Sequence, residues 1–206
     1  MAEITIDSPD GGFNAYVAKP RVTPAPGVLV IQEIFGVNQV MRETCDAYAE
    51  KGYVAVCPDL FWRIEPNVQL TDKTDAEWQQ AFDLMGKFDV DKGVEDLKTT
   101  LHALRGMEAC TGKAASVGYC LGGKMAFLMA TRSDANANVA YYGVGLDALL
   151  HEATHIAKPL LMHVATEDKF VPKDAQAKIV EALQDHEIIQ IYTYEGNNHA
   201  FAREGG

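Results

Sequence analysis

Residues 114–123 read Ala-Ala-Ser-Val-Gly-Tyr-Cys-Leu-Gly-Gly, and this stretch decides the fold. Ala114–Tyr119 is an apolar run that predicts a strand. Leu121–Thr131 predicts a helix of small residues, with Met125, Leu128 and Met129 on one side. Between them, Gly118-Tyr119-Cys120-Leu121-Gly122 has the form G-x-nucleophile-x-G, with cysteine where serine is commoner. The spacing has a steric reason. A nucleophile on a sharp strand-to-helix turn brings the residues two positions either way against neighbouring backbone, and glycine avoids that clash. The turn also sets the sulfur at a helix N-terminus, where the helix dipole favours thiolate. A G-x-C-x-G pentapeptide is short enough to arise by chance, so the flanking strand and helix give it its weight.

Outward from this point the chain alternates strand and helix signals. On the N-terminal side, Glu3–Asp7 and Phe13–Ala18 read as two short strands around the turn Asp10-Gly11-Gly12. Gly27–Gln32 and Tyr53–Cys57 read as buried strands, and Asn38 as the cap of a helix that Gly52 stops. Residues 61–74 look irregular. Ala76–Met85 reads as a helix, and Val94, Leu97, Leu101 and Leu104 mark a second one ending near Gly106. On the C-terminal side come strands at Val139–Tyr142, Leu160–Ala165 and Ile188–Tyr194, with a helix at Lys173–Leu183. The expected architecture is α/β: a mostly parallel central sheet with helices on both faces, entered through short antiparallel strands. Ligands bind such sheets beyond the carboxyl ends of the strands.

With 206 residues, the chain is expected to form one domain. Its 18 basic and 29 acidic residues give a net charge of −11, which repels nucleic acid and anionic membranes. No apolar run approaches the ~18 residues of a membrane span, and the N-terminus lacks a secretory pattern. The expectation is therefore a cytoplasmic protein without membrane or nucleic-acid partners. The spacing of Cys45, Cys57, Cys110 and Cys120 fits no zinc pattern, and all but Cys120 read as reduced structural thiols.

Two residues complete a reading around Cys120. Asp168 follows the strand LLMHVA, and His199 follows the strand IIQIYTY in Gly196-Asn197-Asn198-His199. Nucleophile, acid, histidine is the chain order expected of a catalytic triad on such a sheet. Glu167 is a rival for Asp168. Asp168 is preferred because, within 165–172, it lies where a loop residue can turn back toward the sheet edge. Glu33 follows another buried strand, so it sets a carboxylate at that strand's carboxyl edge, next to the N–H of Ile34.

At these residues the sequence resembles the dienelactone hydrolase (carboxymethylenebutenolidase) family of the α/β-hydrolase superfamily. The matching pieces are QEIFGVN (32–38), MRET (41–44), VGYCLGG (117–123), YYGVGL (141–146) and HAFAR (199–203), in register over nearly the whole chain. The resemblance implies a Cys120–His199–Asp168 triad, with Glu33 contacting the resting thiol and helping to deprotonate it. It implies oxyanion donors at the backbone of Ile34 and Leu121, substrate-carboxylate binding by Arg203, and Tyr142 near the site. The implied reaction is hydrolysis of an enol-lactone, through a thioester acyl-enzyme and without cofactor or metal. The implied partner is a small lactone or ester, the oligomeric state monomer or homodimer.

Two departures accompany the resemblance. Trp78 stands where the family carries a second carboxylate-binding arginine, which opens the reading to a different ester or xenobiotic substrate; a non-catalytic ligand-binding role on the same fold is a separate alternative. Phe35, Trp78 and Phe82 are read as pocket residues. The second departure is at the C-terminus, where the family's last helix is expected to be missing. Two other features read as bland. His151-Glu152-Ala153-Thr154-His155 matches the zinc motif H-E-x-x-H, but Pro159 restricts the helix it needs, so it reads as a surface turn. Asp83, Asp89, Asp91, Glu95 and Asp96 read as a solvated helix face.

Overall fold

The computed structural model describes residues 2–203. Contacts group the chain into two compact units, Met1–Ala115 and Ser116–Gly206. The expectation of a missing last helix lies outside the described residues.

In the first unit, β1 (Ala2–Ser8) and β2 (Gly11–Ala18) form an antiparallel hairpin. β2 also pairs antiparallel with β4 (Val54–Pro58), and β4 pairs parallel with β3 (Ala25–Ile31), giving the order β1-β2-β4-β3. Every residue of β4 is buried, as is β3 apart from Pro26, which matches their unbroken apolar sequence. Helices α1 (Gln39–Glu50) and α3 (Val90–Gly106) both pack on β3 and β4. Asn38 caps α1, its side-chain oxygen accepting from the Met41 N–H at 3.2 Å. Helix α2 (Asp75–Lys87) starts earlier than periodicity suggests, because Thr74 caps it by accepting from the Glu77 N–H.

The acidic residues of this unit correct one expectation. Asp96 is not solvated: it is 1% exposed and accepts from Trp62 Nε1 at 2.9 Å and from the Arg63 guanidinium. It ties residues 61–63 down onto α3. Asp89 caps α3, accepting from the Lys92 N–H. Helical spacing places such residues near a polar face. It does not say which of them turns inward to meet a donor from a distant loop.

In the second unit the pairing is parallel throughout, in the order β5 (Cys110–Tyr119), β6 (Asn138–Tyr141), β7 (Leu160–Ala165), β8 (Ile189–Tyr194). Helix α4 (Leu121–Arg132) is buried from Leu121 to Thr131 except at Lys124, as expected of a helix apolar on nearly all sides. Helix α5 spans Lys173–Leu183. The strand predicted to reach Tyr142 stops at Tyr141, because Tyr142 turns into the left-handed region at φ +38°. Cys120, Tyr142, Thr166 and Glu195 therefore follow directly on the carboxyl ends of four neighbouring strands.

The residues of H-E-x-x-H lie in a 3₁₀ helix, Leu146–His155. At three residues per turn, positions four apart point in different directions, so the two histidines do not share a face. Both are exposed. Glu152 turns inward, where Arg132 and Thr131 hold it at 2.5–3.0 Å and keep its carboxyl below the usual range. Among the described residues, no group of three or more His, Cys, Asp or Glu side chains is placed to hold a metal ion. No helix there is long and apolar enough to cross a membrane.

One row of side chains crosses all four strands of the second unit. Tyr119, Tyr141, His163 and Tyr192 are register partners, and the His163 ring lies flat on Tyr141 at 4.1 Å. His163 is buried, with Nδ1 2.8 Å from the Tyr194 hydroxyl, and burial pushes its imidazole below the ordinary histidine range. The fold thus holds it neutral. Unfolding releases a histidine of pKa ~6.5, so the unfolded state takes up the extra proton once the pH drops below that value. Stability is expected to be complete above pH ~6.5 and to fall on acidification below it, by at most ~1.4 kcal/mol per pH unit from this group. Urea midpoints measured against pH for wild type and His163→Phe check this. The variant should lose that part of the slope; identical slopes would show that His163 is not responsible.

Candidate active site

The first component is the elbow. Cys120 adopts φ +57°, ψ −114°, a strained conformation for a residue with a side chain. Its N–H donates to the Tyr141 carbonyl at 3.1 Å, and its carbonyl accepts the Lys124 N–H at 3.2 Å. The turn is therefore fastened to β6 on one side and to α4 on the other. A Cβ on Gly118 would lie 1.8 Å from the Gly122 carbonyl oxygen, and one on Gly123 would lie 2.3 Å from the Tyr141 oxygen. Backbone approaches this close require glycine. Leu121 opens α4, so its N–H belongs to the helix's first turn, whose donors have no partner within the helix.

The second component lies beyond β7 and β8. Asp168 and His199 meet, with Nδ1 2.8 Å from Oδ2 and 3.0 Å from Oδ1. The Asp168 side chain is 1% exposed and that of His199 8%. Oδ1 of Asp168 also accepts from the N–H groups of Phe170 (2.8 Å) and Val171 (3.1 Å), which fixes the carboxylate. A carboxylate can only accept, so Nδ1 carries a proton, and in the neutral imidazole Nε2 then presents a lone pair. Nε2 is buried and has no hydrogen-bond partner among the described residues. The rival, Glu167, points to solvent and pairs with Lys173 at 2.6 Å. On the triad reading of the sequence, Asp168→Asn is expected to lower kcat roughly 10⁴-fold through loss of the histidine tautomer that the carboxylate fixes. Glu167→Gln should leave kcat within twofold or so, as usual for an exposed ion pair. Steady-state kinetics on both variants checks this; similar losses in the two would contradict the assignment.

Neighbours hold the imidazole in place. Tyr142 and Phe170 each present a ring 4.9 Å from it. The Tyr142 N–H donates to the His163 carbonyl at 2.9 Å, which stabilises the strained turn after β6. Asn198, unremarkable in sequence, accepts from the N–H groups of both His199 (2.8 Å) and Lys169 (3.1 Å), stitching the two loops together. Its place in the run Asn197-Asn198-His199 was the available signal. Phe201 packs on Tyr142 and Tyr194, anchoring the chain after His199. Arg203 is half-buried, and its N–H closes a turn onto Ala200.

The remaining predicted residues belong to the first unit. Glu33, Ile34 and Phe35 follow β3 and are all buried. The segment is gripped by residues 60–70. Gln32 accepts the Leu60 N–H at 3.0 Å, Phe35 accepts the Leu70 N–H at 2.9 Å, and Asn38 donates to the Leu70 carbonyl at 2.9 Å. Gly36, at φ +78°, passes so close to Val68 that a Cβ would lie 2.0 Å from its carbonyl oxygen. Gln32, and Asn38 beyond its capping role, were not singled out from sequence, because their partners are about 30 residues away. Trp78 lies on α2 with its ring edge-on to Phe35 at 4.9 Å. Cys45 and Cys57 are fully buried free thiols, and burial together with Cys57 pushes the Cys45 thiol well up.

The chain matches the dienelactone hydrolase family over residues 13–206. It belongs to that family. Carboxymethylenebutenolidase of Pseudomonas putida is 40% identical, over 97% of this chain and 85% of the relative. A protein of Azospirillum brasilense named "Putative carboxymethylenebutenolidase" is 51% identical, over 100% of this chain and 90% of the relative. The crystal structure of a "Putative Dienelactone Hydrolase" from Klebsiella pneumoniae superposes with a TM-score of 0.86 at 27% identity, covering 100% of this chain and 89% of the other. The mostly parallel strands and flanking helices are thus the α/β-hydrolase fold, and this dienelactone hydrolase family member is a hydrolase of ester or lactone bonds.

Proposed function

We propose that the chain hydrolyses a dienelactone-type enol-lactone through a Cys120–His199–Asp168 triad and a thioester acyl-enzyme. The observation that carries this reading is the buried Asp168–His199 pair, which leaves Nε2 of His199 as a lone-pair base beyond the strand ends where Cys120 also sits. The thiol proton passes to Nε2, and the thiolate adds to the lactone carbonyl, forming a C–S bond. The N–H of Leu121, and by family resemblance that of Ile34, hold the oxyanion. Collapse breaks the ring C–O bond. The leaving group is an enolate, which departs without strong acid assistance and takes the proton from Nε2 of His199 to become a ketone, leaving the imidazole neutral for the next step. Water then attacks the thioester carbonyl as His199 accepts its proton, releasing the acid and restoring the thiol. Resemblance further gives Glu33 a part in deprotonating Cys120, and Arg203 the substrate carboxylate.

The test is a hydrolysis panel at equal enzyme concentration. The enol-lactone is expected to be turned over faster than a simple aryl ester of similar size. Equal or slower turnover would overturn the choice of substrate while leaving ester hydrolysis intact. A second reading, a different ester, is favoured by the aromatic surroundings of Trp78.

A further inference from the structure

His199 is carried by a loop. β8 ends at Tyr194, and residues 195–203 are turns and irregular chain. A base carried this way must be held by its neighbours, because a displacement of about 1 Å can cost roughly 10²-fold in rate. A series of hydrogen bonds joins this loop to the one after β7. The Gly196 N–H donates to Thr166 Oγ1 at 2.9 Å, and the Glu167 N–H donates to the Asn197 carbonyl at 2.8 Å. The next link is a side chain. Oδ1 of Asn198 accepts the Lys169 N–H at 3.1 Å and the His199 N–H at 2.8 Å. Both partners are N–H donors, so the amide atom that faces them is the oxygen. One acceptor thus grips the backbone of the histidine and the backbone of the residue next to Asp168. Asp168 is itself tied to its own loop through the Phe170 and Val171 N–H groups. Lys169 is exposed, so water can take up its N–H if Asn198 is removed. Water replaces the hydrogen bond, but it does not fix the distance between two loops.

Building on the triad reading above, we propose that Asn198 is a positioning residue of the reaction. Its side-chain oxygen sets His199 against Asp168 and so holds Nε2 where the proton of the nucleophile is taken. It has no part in bond breaking.

The test removes the acceptor in two ways, Asn198→Ala and Asn198→Gly, and keeps it in Asn198→Asp. Hydrolysis of phenyl acetate gives kcat and KM. Proton NMR reads the pair directly: a proton held between Nδ1 and a carboxylate resonates at low field, and side chains 8% and 1% exposed shield it from exchange. Its loss in His199→Ala assigns it. In Asn198→Ala and Asn198→Gly, kcat should fall roughly tenfold to a hundredfold with KM within about twofold, and the resonance should broaden or vanish. Asn198→Asp should restore most of both. Thr166→Val, which removes the link at Gly196, should change kcat by less than about threefold, because that link lies farther along the loop from His199. A residue that only supported the fold would lower the urea midpoint while kcat per folded enzyme and the resonance stayed at wild type, and that result overturns the proposal. So does an Asn198→Asp protein as impaired as Asn198→Ala. Failure of the triad reading is separate: His199→Ala would then hydrolyse the ester at the wild-type rate. An inactive His199→Ala beside wild-type Asn198→Ala and Asn198→Gly overturns the role of Asn198 alone.

Discussion

Cys120→Ala is expected to abolish enzymatic ester hydrolysis, with kcat/KM falling by roughly 10⁴-fold or more. The size follows from the parts the thiol joins. In the proposed mechanism Nε2 of His199 is the base, with a carboxylate behind it, and without sulfur it has no nucleophile to activate. Cys120→Ser should also be severely impaired, because a hydroxyl holds its proton far more tightly than a thiol. Initial rates on the best ester of the panel measure both variants. Unchanged activity in Cys120→Ala would remove the mechanism. Labelling offers an independent check. Iodoacetamide should modify one thiol rapidly, and peptide mapping should place it at Cys120: Cys45 and Cys57 are 0% exposed, and Cys110, at 9% as open as Cys120 at 8%, is the reference for an unactivated thiol of equal exposure. Slow, even labelling of all four would count against an activated thiol.

Gly118→Ala is expected to cost more than ~4 kcal/mol or to prevent folding. The added Cβ would lie 1.8 Å from the Gly122 carbonyl oxygen and 2.3 Å from its carbon. Both are backbone atoms, and they belong to the turn that fastens Cys120 between β6 and α4. Relief would mean opening the elbow or pulling α4 away. Gly86→Ala supplies the contrast. Gly86 lies in α2, is exposed, and nothing stands within 4 Å of a Cβ built there. That change should stabilise the protein by ~0.5–1 kcal/mol, from helix propensity. Urea unfolding of the two variants checks the pair. A Gly118→Ala protein of wild-type stability would show that the elbow is not sterically closed.

The elbow was legible because its causes are local. A strand, a turn and a helix in consecutive residues bring Gly118 and Gly122 together whatever the rest of the chain does. Asn38 and Gly52 at the ends of α1 are legible for the same reason, since caps and stops act within a few residues. Parallel pairing also followed from sequence, through the alternation of strands with helices. Features that depend on distant partners were not legible. Asp96 has the spacing of a solvated helix residue, yet Trp62 and Arg63 draw it inward from more than thirty positions away. Glu33 and Phe35 could be placed at a strand end, but the grip of residues 60–70 on them could not be foreseen.

By itself, then, the sequence determined the order of strands and helices, the turn that carries Cys120, and the family. Each of these is written in short-range spacing or in motifs kept in register. The tertiary structure decided which neighbour does which work. Asp168 and Glu167 are adjacent and chemically alike, but the turn after β7 aims one at His199 and the other at Lys173. His151 and His155 match a metal motif, but a 3₁₀ helix turns them apart and Arg132 occupies Glu152. The physical reason is common to both cases: spacing along a chain specifies which side chains can meet, whereas hydrogen bonds to distant backbone and side-chain groups specify which of them do.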